Sequence, residues 1–123
     1  MAEPAANLAP VPELLRACAD EMAAVAELGL RLERTLAALA PQLGARLAVV
    51  EEMQGLDRLV QHAAALHAFL LNAAASAPSE HALDVKAALD AVTLEAMSAR
   101  LNKQLLGREP EGWVLDSGEI EFL

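Results

Sequence analysis

The stretch PELLRACADEMAAVAELGLRLERTLAALAP, residues 12–41, decides the fold. Within it Leu15, Cys18, Met22, Val25, Gly29, Leu32, Leu36 and Leu39 recur at alternating steps of three and four, the spacing that lines up side chains along one side of an α-helix. A seam sustained this long predicts a helix packed against partner helices at a shallow crossing angle. Glu13, Arg16, Asp20, Glu27, Arg31 and Arg34 fall on the opposite, solvated side. Pro12 suits the first turn, where a missing N–H costs nothing. Pro41 is expected to end this helix and open the next.

Outward from that helix, residues 42–76 predict a second one, roughly 50 Å long at 1.5 Å per residue. Joined by a very short connection, the two fold back as a long antiparallel hairpin. The second helix has a wide apolar arc: Leu59, Ala63, Leu66, Leu70 and Ala73 form one stripe, and Met53, Leu56, Val60 and Leu71 a neighbouring one. Such an arc is expected of a helix that touches two others. Ser79 and Glu80 read as a helix start, and a third helical region runs over about 80–106 to a C-cap at Gly107. Its periodicity slips at residues 90–93, where Thr93 is a candidate cap, so this region is one helix or two. Residues 1–11 read as a loose leader.

The expected organisation is a single helical bundle domain over 1–107 and an acidic, apolar tail over 108–123. Trp113, Ile120, Phe122 and Leu123 are too apolar for an idle linker. They are expected to dock, either on the bundle itself or on a partner.

Composition agrees with an all-α protein. Alanine and leucine dominate, tyrosine is absent, and the aromatics are Phe69, Trp113 and Phe122. Each alanine buries little area at about 25 cal/mol per Å², so the core is thin. A homodimer that completes a four-helix bundle is therefore expected. Eighteen acidic residues face nine basic ones, a net charge of -9, and the basic ones are scattered. That argues against nucleic acid, which needs a positive stripe, and against an anionic membrane surface. The single Cys18 cannot form an internal disulfide, and no charged-then-apolar leader or apolar run of spanning length is present. A cytoplasmic protein is expected. Cys18 itself reads as a small buried hydrophobe.

A polar insertion interrupts the second helix at Gln54, Asp57, Arg58 and Gln61. Asp57 and Gln61 lie one turn apart, so both side chains leave the same face. This Asp-x-x-x-Gln segment resembles that of the CheZ-type chemotaxis phosphatases, and in size and layout the chain is similar to the small CheT-like chemotaxis proteins. The resemblance covers residues 42–76 and the general plan of a hairpin with a tail. It implies a chemotaxis auxiliary protein that binds a response regulator of CheY type and accelerates hydrolysis of its phosphoaspartate. Gln61 would hold the attacking water and Asp57 would make an ionic contact with the regulator, with Gln54 and Arg58 in the interface. The chain would need no cofactor of its own, because the regulator carries the Mg²⁺. In the chain's shorter length, and in a tail that does not form a clear amphipathic helix, it departs from those phosphatases.

Two other functions fit the residues. One is a non-enzymatic helical adaptor for another signalling protein, with the polar stripe and the tail as docking surfaces. The other is histidine phosphotransfer through His62 or His67, although neither is followed by the lysine and glycine usual in such domains. The two histidines are five residues apart, which does not suit metal ligation from one face. No metal site is expected.

Overall fold

The computed structural model describes residues 6–43 and 47–108. The connection at 44–46 and the tail residues Trp113, Ile120, Phe122 and Leu123 lie outside the described residues. The chain is all-α in class: α1 (Val11–Leu43), α2 (Leu47–Ser76), α3 (Lys86–Asp90) and α4 (Glu95–Leu106), with a small ribbon of β1 (Leu8–Pro10) and β2 (Ala82–Asp84). It divides into two compact units, Cys18–Asn72, and Met1–Ala17 with Ala73–Leu123.

The unit Cys18–Asn72 is the hairpin. His67 Nδ1 donates to the Ala19 carbonyl at 2.8 Å, Gly29 lies against Leu56 and Val60, and Leu36 lines a groove with Met53. Partners on α2 step backwards as α1 advances, so the helices are antiparallel. The facing row on α1 is Ala19, Met22, Ala26, Gly29, Glu33 and Leu36, and on α2 it is Met53, Leu56, Val60, Ala63, His67 and Leu70. All are buried or half-buried.

This seam differs from the expected one. Met22, Gly29 and Leu36 belong to it, but Val25, Leu32 and Leu39 stay 36%, 47% and 40% exposed, and on α2 Leu59 and Leu66 are each 49% exposed. The reason is close approach. A Cβ on Gly29 would stand 2.5 Å from Val60 Cγ2, so this contact exists because residue 29 has no side chain. Small residues on α1 let the helices come together, and the bulky row is left outside.

Gly29→Leu should therefore force the helices apart and destabilise the protein by about 1–3 kcal/mol, the usual cost of overpacking. Gly29→Ala also brings a methyl against Val60, and combined with Val60→Ala it should cost less than the two single substitutions summed, because the clashing methyl is removed. Denaturant midpoints of the single and double variants check this; additive losses would contradict the contact.

Pro41 does not end α1, which runs on to Leu43, and α2 starts at Leu47 instead of 42. With no N–H at Pro41, the carbonyl of Ala37 loses its helical donor, and with only two residues of helix beyond the proline this is the one bond given up.

In the second unit the described part of the expected leader, residues 6–11, is structured. Leu8 pairs with Asp84, Ala9 with Leu83 and Pro10 with Ala82, antiparallel. Val85 N–H donates to Asn7 and Val11 N–H to His81 at the two ends of the ribbon. Ser79 and Glu80 thus precede a strand, not a helix. Beyond it come two helices, and the second is capped by Leu94 without a side-chain bond, so Thr93 is not its cap. Gly107 does close α4, in the left-handed conformation at φ 69°. Ala9, Ala17, Val85, Leu89 and Leu101 form the core, with Leu14, Val92, Met97, Leu105 and Leu106 against it. Arg108 donates to the Asn7 side chain at 2.8 Å, tying the end of α4 to the start of β1.

The core is thin. Among the described residues the side chains with no exposure are alanines: Ala9, Ala17 and Ala19.

Candidate functional site

A row of exposed residues runs along α2: Val50, Gln54, Asp57, Gln61, Ala64, Ala68 and Leu71. Its alternating steps of four and three keep it on one flank of the helix, beside the Met53–Leu56–Val60–Ala63 row that faces α1. Helix geometry alone thus presents the polar residues outward, and the alanines that follow keep the surface low. Val50, Met53, Gln54, Asp57, Arg58 and Gln61 line an open groove. All four polar residues expected in the site are brought together there.

Asp57 and Gln61 are joined directly. Gln61 Nε2 donates to Asp57 Oδ2 at 2.8 Å. The amide nitrogen is thereby engaged by the acid, and the amide oxygen remains as an acceptor at the groove. An acceptor held in place can orient a water molecule, and an exposed carboxylate beside it can receive a cation.

Glu33 was missed by sequence reasoning. It lies on α1 in the row that faces α2 and is half-buried. Loss of solvent first, and then the neighbouring Asp57 carboxyl, hold the Glu33 carboxyl above the usual range. The available signal was an acid in the row of Ala26, Gly29 and Leu36, which otherwise carries small or apolar side chains.

The remaining candidates are Cys18 and the histidines. Cys18 is half-buried, and burial, then the nearby Glu21 carboxylate, push its thiol upward, which keeps it a poor nucleophile. His67 is held in the hairpin seam by Ala19, whereas His62 and His81 are exposed. Among the described residues no group of three or more His, Cys, Asp or Glu is arranged to hold a metal ion. No helix there is long and apolar enough to cross a membrane.

Comparison with known families matches residues 7–123 to a model described as a domain of unknown function, DUF8776. The chain belongs to the DUF8776 family. The match begins just before β1 and takes in the ribbon, both long helices and the groove, so the DUF8776 domain draws on both compact units. No curated protein and no solved structure matches this DUF8776 chain.

Proposed function

We propose that this protein is a chemotaxis-type auxiliary protein that docks a CheY-type response regulator on the α2 groove and speeds hydrolysis of its phosphoaspartate. The exposed, hydrogen-bonded pair of Asp57 and Gln61 carries this reading. Gln61 accepts a hydrogen bond from the attacking water through its amide oxygen and aligns that water with the phosphorus. Asp57 holds the amide by its nitrogen and receives a cationic side chain of the regulator. Gln54 and Arg58 complete the contact. Positioning of this kind is worth several kcal/mol of barrier without a covalent intermediate. The Mg²⁺ belongs to the regulator, and the protein works where the regulator does, in the cytoplasm.

The working form is a homodimer. Val25, Leu28, Leu32 and Leu39 on α1 and Leu59 and Leu66 on α2 are exposed leucines and a valine at heptad-like spacing, the pattern that a second copy of the same hairpin would cover as a four-helix bundle. Leu59 and Leu66 lie roughly half a turn of α2 away from Asp57 and Gln61 at 3.6 residues per turn. Dimerisation on that side leaves both grooves open.

The test is where a regulator binds. A CheY-type regulator carrying a beryllofluoride mimic of the phosphoryl group is titrated into isotope-labelled protein. Resonances of Gln54, Asp57, Arg58 and Gln61 should shift before others. Shifts confined to another surface, or none, would remove the proposal. Binding at the groove with no change in phosphoaspartate lifetime would instead identify a non-enzymatic adaptor.

A further inference from the structure

Asp57, Gln61 and Gln54 share their groove with a guanidinium. Arg58 is exposed and lines the groove beside them. It stands three residues before Gln61 and four after Gln54, so it neighbours both on the helix surface. Asp57, next to it in sequence, projects about 100° away around the helix, and its Oδ2 takes the Gln61 amide at 2.8 Å. Other cations are committed within the fold: Arg16 pairs with Glu13, Lys86 with Asp90, and Arg108 donates to Asn7. Arg58 makes no ion pair or side-chain hydrogen bond among the described residues. In a chain of net charge -9 the field at large repels anions, so a phosphoryl group entering the groove has to be met by a cation there. Arg58 supplies one.

We propose that Arg58 is a further catalytic residue, an arginine finger supplied in trans: its guanidinium donates to the phosphoryl oxygens of the regulator's phosphoaspartate while Gln61 holds the attacking water. The role deepens the phosphatase proposal and rests on it. In the reaction the water oxygen bonds to phosphorus as the bond from phosphorus to the acyl oxygen breaks. That electron pair returns to the aspartate carboxylate, and both water protons end on the phosphate, so a dianionic phosphoaspartate gives a carboxylate and dihydrogen phosphate. During the step, charge is spread over the three equatorial phosphoryl oxygens. A guanidinium offers its N–H donors in a planar fork that meets two such oxygens at once, and it stays charged throughout the physiological range. The work is thus divided: the amide aligns the nucleophile, and the guanidinium holds the group that it attacks.

The experiment compares the native full chain with Arg58→Gln and Arg58→Ala in two readouts: phosphoaspartate decay at saturating protein, and Kd for a CheY-type regulator with and without its beryllofluoride group. Arg58 is exposed, so circular dichroism of both variants should match the native protein. Their saturating decay rate should fall about a hundredfold, the scale of removing one donor aimed at developing charge. Their preference for the beryllofluoride form over the unmodified regulator should shrink about tenfold, as when one charge-assisted hydrogen bond is lost. Any preference that comes from the regulator's own change of shape is common to native and variant proteins and cancels. If native protein accelerates decay and the variants do so equally, Arg58 is not catalytic and the phosphatase function stands. Variants that bind both forms more weakly by the same factor and keep the native saturating rate would show Arg58 meeting a carboxylate on the regulator's surface, which also overturns the proposal. A slower rate with the preference intact would mean that Arg58 acts without touching the phosphoryl group, and overturns it too. If native protein has no effect on decay, the phosphatase proposal fails and the role of Arg58 falls with it.

Discussion

Gln61→Ala is expected to cut the accelerated decay of regulator phosphoaspartate about a hundredfold, the loss that follows when a reactant is no longer held in line. Regulator affinity should change little, because the amide oxygen faces water and not the partner's backbone. Gln61→Asn keeps the amide but draws it back by one methylene, away from Asp57, with which the native pair is in contact at 2.8 Å; most of the loss should remain. Asp57→Asn should behave differently. It removes the charge that receives the regulator's cation, so its first effect is weaker binding, visible as a raised KM. The orientation of Gln61 suffers second, since the side-chain oxygen retained by that substitution can still accept from it. A Gln61→Ala protein as active as the native one would show that the water is oriented elsewhere.

The second large effect concerns the outward apolar rows. At tens of micromolar the native chain should sediment as a dimer, and Leu32→Glu combined with Leu66→Glu should sediment as a monomer. Leu32 and Leu66 are already about half covered within one chain, so covering the rest of each is worth about 0.7–1.5 kcal/mol, and a two-fold interface counts every substitution twice. The pair of changes thus removes roughly 3–6 kcal/mol of gross interface energy, a large part of the roughly 8 kcal/mol that corresponds to a micromolar dimer, and it also places four carboxylates in an apolar interface, which adds to the loss. The monomer should also melt earlier, because its own core holds no fully covered side chain larger than alanine among the described residues and because dimerisation raises the melting temperature by mass action. A native chain that stays monomeric at these concentrations, or a double variant that remains dimeric, would contradict the bundle.

Periodicity made the helices and the hairpin legible, and local spacing made the groove legible. Asp57 and Gln61 are four residues apart on one helix, so their meeting needs no knowledge of the rest of the chain. The choice of seam was not legible in the same way. In α1 the row of Val25, Leu32 and Leu39 and the row of Ala26, Glu33 and Ala40 share one heptad spacing, and hydrophobicity favours the first. Packing favours the second, because a glycine at 29 lets Val60 approach. Glu33 went unplaced for the same cause. Its place depends on the register between two helices, which no single-helix pattern encodes. The ribbon of Leu8–Pro10 with Ala82–Asp84 was equally hidden: three-residue strands far apart in the chain carry too little alternation to be recognised.

The most direct measurement is the lifetime of the phosphoaspartate on a CheY-type regulator, followed after phosphodonor removal with increasing amounts of this protein. The decay constant is predicted to rise with protein concentration and saturate as the α2 groove fills. A decay constant that stays at its unassisted value throughout, across the available regulators, would contradict the assignment of Asp57 and Gln61 as catalytic residues.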